Sequence, residues 1–309
     1  MTSEAMLRVA GVGDAEPLAA LWAEAFTPPL SPDQWLTDPA RYAHTIVAVD
    51  AAGVVGSIYG VPKRLREGDG GVADVHGIGS VAVAERARGC GLARRLVSAT
   101  LDSARRRGAD WALLFTGTPG VYRSSGFRSF RMHRSAQGPW RPPGDDVPRD
   151  RVDLRTTVGP GATAELHGVY EQSRSGVVLA PQRSALDWAM AEVRLKGLTL
   201  YTLRDAGAVA AYAVAGAQGL TGVVAELAAA DAAPRDACAT LLRAIGADWA
   251  AAGVERCDIA LPERPRDVAA VHAFAPAARW IADTSGMVVP LTREPRLDGI
   301  RHYGAADYF

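Results

Sequence analysis

The chain has 309 residues, with 34 Lys+Arg against 34 Asp+Glu, so its formal net charge is zero. Hydrophobic residues make up 48% and charged residues 22%, a balance that excludes a wholly disordered chain and a strongly basic nucleic-acid coat. The length is that of about two domains, and no apolar run approaches the ~18 residues of a membrane span. Leu7 to Val12 reads as a short strand, and Asp14 is placed to cap a helix running to Ala25. The Pro-rich stretch Thr27 to Asp33 ends that helix. Ile46–Val49 and Val54–Val61 form a hairpin around Asp50–Gly53. A turn at Glu67–Gly71 leads to the strand Val75–Val83, and a helix runs from Gly91 to Arg107. Gly108 stops the helix, and Trp111–Phe115 reads as a buried strand.

Residues 134 to 150 hold Pro139, Pro142, Pro143 and Pro148 with Gly138 and Gly144. This density of breakers predicts a surface loop, and places a domain boundary near residue 145. The units expected are 1–145 and 146–309. The second begins with a strand over Val152–Thr156 and helices over Thr163–Gln172 and Ser184–Arg194. A hairpin, Leu198–Leu203 with Ala208–Val214, turns at Asp205–Gly207. Val223–Ala229, a helix over Pro234–Ala252 and Arg256–Leu261 complete the pattern.

The two halves repeat one pattern. Placing Gly253 on Gly108, an offset of 145 residues, lays Glu226–Ala260 over Val81–Phe115 without a gap. Both segments read strand, loop, long helix, Gly, strand. The halves differ where it matters most. Arg88, Gly89 and Gly91 fall on Ala233, Pro234 and Asp236, and Tyr122 falls on Asp267. Proline has no N–H to offer an anion, and aspartate repels one. Any anion site therefore belongs to the first half, and the second half is expected to wall it.

That site is the loop Arg86-Ala87-Arg88-Gly89-Cys90-Gly91-Leu92-Ala93, between a strand end and a helix start. Free N–H groups and the helix dipole converge there, and glycines admit close backbone approach. Arg88, with Arg86 beside it, adds charge-assisted hydrogen bonds. The loop is neither a P-loop, lacking Gly-Lys-Ser/Thr, nor a Rossmann fingerprint, lacking the third spaced glycine. The three cysteines, Cys90, Cys238 and Cys257, are too few and too far apart for a disulfide framework or a zinc site. No metal is expected, and the thiols fit a cytoplasmic protein.

Val81-Ala82-Val83 followed by Arg86-x-x-Gly89-x-Gly91 resembles the acyl-CoA loop of the GNAT superfamily of N-acetyltransferases. Tyr122-Arg-Ser-Ser-Gly126-Phe127 is similar to that family's motif after the next strand. The resemblance implies an α/β (α+β) fold. Two tandem domains would each carry a mixed, mostly antiparallel twisted sheet flanked by helices. It implies acetyl-CoA as acyl donor, with the backbone of Val81, Ala82 and Val83 along its pantetheine. Arg86, Arg88, Gly89, Cys90, Gly91, Leu92 and Ala93 would hold its pyrophosphate, and Gly117 would complete the cofactor surface. The tandem arrangement, with Val81-Ala-Val-Ala84, Gly120-Val-Tyr122 and Leu179-Ala-Pro181, looks like the enhanced intracellular survival type. The chain stops at Phe309, short of that type's third, sterol-carrier-like domain.

Transfer to an amine needs an acceptor for the amine's proton and a donor to the departing thiolate. By resemblance, Tyr122 is the general acid and the Val83 N–H stabilises the carbonyl oxygen. The base stays open. Many relatives place a carboxylate where this chain has Gly77. His76 and Asp74 have the opposite strand parity, so a regular strand aims them away unless a bulge intervenes. The related type uses its terminal carboxylate, which here is that of Phe309. Phe26, Trp35 and Tyr42, with Asp74, are the candidate substrate contacts, the aromatics by cation–π attraction.

The reaction expected is acetylation of a primary amine on a small molecule such as an antibiotic, polyamine or natural product. Acetylation of a peptide lysine, and a non-catalytic acyl-CoA-binding module, are the alternatives. Mycothiol synthase is a further two-copy relative, but its active loop lies in the second half. No nucleic-acid or membrane partner is expected, and a homo-oligomer is left open.

Overall fold

The computed structural model describes residues 5–30, 35–144, 147, 150–155 and 158–309. The chain opens with β1 (Met6–Val9), α1 (Ala15–Ala25), β2 (Thr45–Asp50), β3 (Gly53–Arg66) and β4 (Val72–Val83). Then come α2 (Leu92–Arg106), β5 (Trp111–Phe115), the short α3 (Gly120–Arg123), β6 (Arg128–Ser129) and β7 (Met132–Pro139). The second half carries β8 (Val152–Arg155), α4 (Pro160–Ser173), β9 (Val177–Val178), α5 (Ala185–Arg194), β10 (Thr199–Asp205), β11 (Ala208–Gln218) and β12 (Thr221–Ala229). It continues through α6 (Ala237–Ala251), β13 (Arg256–Ile259), α7 (Pro265–Phe274), β14 (Arg279–Asp283), β15 (Gly286–Pro290) and β16 (Ile300–Arg301).

These strands form two seven-stranded sheets, ordered β1-β2-β3-β4-β5-β15-β6 and β14-β7-β13-β12-β11-β10-β8. β4 pairs with β5, and β12 with β13, in parallel. The other pairs within the two sheets are antiparallel. The mixed, mostly antiparallel tandem architecture is as expected. The repeat is visible in the elements: α2 and α6 both start and end 145 residues apart, as do the first residues of β5 and β13. Gly108 and Gly253 follow the two helices with positive φ, 78° and 70°, as C-terminal stops.

The sheets exchange strands across residue 145. β7, inside the stretch expected as loop, pairs with β13 and β14 of the second sheet. β15 returns from near the C-terminus to pair with β5 and β6 of the first. Pro139 ends β7 rather than interrupting it, so the breakers begin where the strand stops. Asp14 also differs from expectation. It sits at the start of α1, but its carboxylate accepts from Arg8 at 2.7 Å and from the Gly11 N–H at 2.8 Å instead of capping that helix.

Each sheet buries both faces. On one face of the first sheet, Leu18, Leu21 and Trp22 of α1 join Leu92, Leu96, Val97 and Leu101 of α2 over Ile58, Ile78 and Leu114. The α2 positions follow the 3.6-residue period. The other face carries Leu65, Val75, Trp111, Leu113 and Val288, and meets Val178, Leu179 and Tyr303 from the second half. The C-terminal segment runs through this second layer. β16 pairs in parallel with β9, and the His302 N–H donates to the Val178 carbonyl. The last residues therefore lie between the two sheets, where Tyr303, Tyr308 and Phe309 all pack on Phe115.

Candidate active site

The site is built at the end of β4. Its parallel pairing with β5 stops at Ile78 opposite Leu114, and beyond that point the two strands part. Immediately afterwards the β3–β4 register shifts, with Tyr59 opposite Gly79 but Ser57 opposite Ala82. The extra residue makes a bulge in which Ser80 takes φ +48°. Polar contacts hold the bulge. Arg41 donates to Ser80 Oγ at 2.9 Å, and Trp22 Nε1 donates to Ser57 Oγ at 3.0 Å. Arg41 is 3% exposed and lies over the Tyr59 ring, 3.7 Å from its centroid. Past the bulge, the Ala84 N–H donates to Val55 of β3. By strand alternation the Val83 backbone then points the other way, into the gap beside β5. Its carbonyl there accepts from Arg88 Nε at 3.1 Å.

The loop follows directly. Gly89 (φ +78°) and Gly91 (φ +73°) both adopt left-handed backbone, and no atom lies within 4 Å of where a Cβ would sit on either. Gly91 opens α2, whose first N–H groups have no intrahelical acceptor. Leu92 tucks into the core and fixes the helix start, while Cys90 stays exposed. Open space beside free N–H groups at the positive end of a fifteen-residue helix fits an anion such as a pyrophosphate. Arg86 is placed differently from the expectation. It pairs with Asp50 at the β2–β3 turn, bracing the loop rather than facing its mouth.

This geometry agrees with the match of residues 7–130 to the family model described as an acetyltransferase (GNAT) domain. Residues 7–130 are a GNAT acetyltransferase domain. The match covers the first half of the chain and stops before the second sheet's own strands and helices. No curated protein matches the sequence. Among solved structures, a GCN5-related N-acetyltransferase from Kribbella flavida is 18% identical with a TM-score of 0.71, over 94% of this chain and 72% of that one. A conserved Enterococcus faecalis protein described as a probable N-acyltransferase is 14% identical, TM-score 0.70, over 94% and 73%. Eis1 from Mycobacterium abscessus is 15% identical, TM-score 0.63, over 93% and 73%. At these identities the likeness is one of fold, and it extends past the GNAT domain over both halves.

The C-terminus reaches the GNAT domain at the two glycines of β4. A Cβ on Gly79 would lie 2.5 Å from the Phe309 carbonyl oxygen and 2.9 Å from its carbon. A Cβ on Gly77 would lie 2.8 Å from the Phe309 ring. Only glycine admits the terminal residue at these positions. The chain thus brings its terminal residue to the strand face at Gly77 and Gly79, the position where the sequence offers no carboxylate side chain. No side chain among the described residues pairs with the Phe309 carboxylate within salt-bridge distance.

His76 does not join it. Its ring bonds Thr100 Oγ1 of α2 at 2.9 Å, on the opposite face of the sheet. The bulge lies beyond Gly79 and leaves the parity at His76 unchanged. Burial pulls its pKa down to about 4. Asp74 is exposed near Arg64, at 3.9 Å, also away from the terminus. Burial likewise holds His302 neutral, with a pKa of about 3. An unfolded histidine takes its proton near pH 6.5. These folded pKa values lie below that, so stability falls as pH drops through the window from about 6.5 toward about 4. His76→Gln should reduce the loss of melting temperature between neutral and mildly acidic buffer and leave kcat unchanged. A large kcat loss would return His76 to the reaction.

Tyr122, on α3, is 8% exposed and packs edge-to-face on Phe127, with ring centroids 6.0 Å apart. Burial raises its pKa, so the phenol keeps its proton through neutral pH. Phe26, Trp35 and Tyr42 belong to the α1 side of the core. Trp35 is 7% exposed and stacks edge-to-face between Trp22 and Tyr42. The same segment instead contributes Arg41, which sequence reading missed. A cationic residue inside an aromatic-rich stretch was the available signal. Gly117 lines a cavity of about 480 Å³ between the halves, with Phe115, Tyr303 and Tyr308 as aromatic walls and Arg134, Asp258 and Asp283 as charged ones. None of Phe26, Trp35, Tyr42 and Asp74 lines it. Those aromatics close the outer corner of the domain because α1 folds over β3 there.

Proposed function

We propose that this protein transfers an acetyl group from acetyl-CoA to the primary amine of a small molecule, by direct attack in the gap beyond Ile78. The observation that carries the reading is the convergence on one strand end of a pyrophosphate loop, an open strand gap and the Phe309 carboxylate. Arg88, the backbone of Gly89 to Ala93 and the edge of β4 at Val81 and Val83 would hold acetyl-CoA. When bound, it supplies the activated acetyl group.

The chain's own residues then manage charge and protons. The Val83 N–H is directed at the gap, where it can stabilise negative charge developing on the carbonyl oxygen. Attack must come from the unprotonated amine. As the new bond forms, that nitrogen becomes a much stronger acid than a free ammonium, and the Phe309 carboxylate takes its proton. Tyr122, protonated because it is buried, donates to the departing thiolate. A cavity of about 480 Å³ opens beside Phe115, on which Phe309 packs; Val83, Tyr122 and Phe309 do not line it, but its size and aromatic walls suit a compact amine better than an extended peptide. That favours a small-molecule acceptor over a protein lysine.

The test is incubation with acetyl-CoA and a panel of aminoglycosides, polyamines and lysine peptides, with mass spectrometry of the acceptors. Gain of one acetyl group on an amine of the small-molecule set is expected, and gain on the peptides alone would overturn the small-molecule reading. Tyr122→Phe should lower kcat about a hundredfold, with acetyl-CoA affinity retained. Equal loss of both would remove the acid role.

A further inference from the structure

The second half carries a buried ionic cluster that the reaction itself does not use. Arg183 is fully enclosed. Its Nε donates to Asp307 Oδ1 at 2.8 Å, and its Nη1 donates to Glu226 Oε1 at 3.1 Å, with Nη2 bonding the other Glu226 oxygen. Its guanidinium lies over the rings of Tyr170 and Trp188, 3.9 and 4.6 Å from their centroids. Tyr212 donates its hydroxyl to Glu226, and Tyr303 donates to the Asp307 carbonyl at 2.8 Å. Among the described residues, the hydrogen-bond partners of Asp307 thus come from the second half or from the tail itself.

Two features give this cluster a direction. Asp307 is two residues before the carboxylate that reaches Gly79, and Tyr308 and Phe309 between them pack on Phe115. The position of Glu226 is also informative. Parallel pairing of β12 with β13 ends at Val224, and the register shift that follows leaves Ala225 as the extra residue of a bulge, with Glu226 directly after it opposite Val214. In the first sheet the corresponding bulge at Ser80 borders the acyl-CoA gap. The same bulge thus recurs in both halves, beside the strand gap in the first and just before the tail-holding Glu226 in the second. A buried ion pair is a weak source of stability but a strong source of fixed geometry, because any other arrangement leaves a charge unpaired.

We infer that Arg183 and Glu226 are positioning residues, which clamp Asp307 and thereby set the place of the Phe309 carboxylate over Gly79. The inference rests on the reading of that carboxylate as the base. It predicts that clamp variants act on turnover only while the carboxylate is present.

The experiment is a double-mutant cycle on the full chain. Asp307→Asn is measured alone, and also in a semisynthetic chain extended by one glycinamide after Phe309, which turns the Phe309 carboxylate into an amide and adds no new carboxylate. The readouts are kcat and the acetyl-CoA KM, with any accepted amine. Asp307→Asn should lower kcat by up to about a hundredfold in the natural chain, leave the acetyl-CoA KM unchanged, and cause no further loss in the extended chain. Equal fold-losses in both chains, or no loss in either, would overturn the clamp. An extension that leaves kcat intact would instead refute the base reading, and the clamp's purpose with it. Should Asp307→Asn fail to fold, Tyr303→Phe, which removes only the hydrogen bond to the Asp307 carbonyl, runs through the same cycle with the same expected non-additivity.

Discussion

Gly79→Ala is expected to lower kcat about a hundredfold, the usual worth of a positioned general base, while the protein still binds acetyl-CoA. The reason is geometric. The added Cβ would sit 2.5 Å from the Phe309 carbonyl oxygen, a separation no real Cβ holds, so the terminal residue must leave. What it meets is the terminal carboxylate, and since its carbon also lies at 2.9 Å, turning the group about its own bond does not relieve the clash. Gly77→Ala should act the same way through the ring, at 2.8 Å, but more weakly, because the edge of a phenyl group can tilt. Steady-state kinetics with saturating acetyl-CoA, beside calorimetry of acetyl-CoA binding, separate the two effects. Unchanged kcat in Gly79→Ala would mean that the carboxylate does no chemistry at that strand.

The second large effect is expected on binding. Gly89→Val puts a β-branched side chain at φ +78° and into the open space above the loop. Two backbone hydrogen bonds to a charged phosphate, at about 1.5 kcal/mol each, would be lost, which weakens acetyl-CoA about a hundredfold. The fold should survive, because Gly89 is exposed and touches none of the core that holds α2. Calorimetric titration reads the affinity directly. Affinity within a factor of a few of the natural chain would place the pyrophosphate elsewhere.

The glycine loop was legible because its signals are local. Gly89 and Gly91 beside a basic, periodic helix already specify a left-handed turn and a free helix N-terminus. The 145-residue repeat carried over to α2 and α6 to the residue, since both helices end on a glycine stop. The parity argument also placed His76 on the helix side of β4, where Thr100 holds it. What escaped was non-local. Nothing in Met132–Pro139 or Gly286–Pro290 reveals that each strand completes the other half's sheet, because its partners are set by chain crossing and not by its own residues. The aromatics of the first lip are a related case. Trp35 and Tyr42 look alike as pocket or as core in the sequence, and the structure adds that Trp35 packs edge-to-face between Trp22 and Tyr42. The tail anchor spans 124 residues from Arg183 to Asp307, beyond the reach of any spacing rule.

That anchor explains the division of labour between the halves. The first half keeps the glycine loop and the strand gap. The second has Pro234 and Asp236 in the corresponding turn, with Asp236 oriented toward Arg151 and Thr240 of its own half. It supplies a cavity wall at Val223, Val224 and Ala225, and the ionic hold on the C-terminal segment. Loss of cofactor chemistry in one copy is then compatible with both copies being required for turnover.

The most direct measurement is the stoichiometry of acetyl-CoA binding to the intact chain by isothermal titration. The account predicts one acetyl-CoA per chain. Two per chain would show that the second half kept its own cofactor site, and none would contradict the assignment of the Gly89–Gly91 loop as a pyrophosphate cradle.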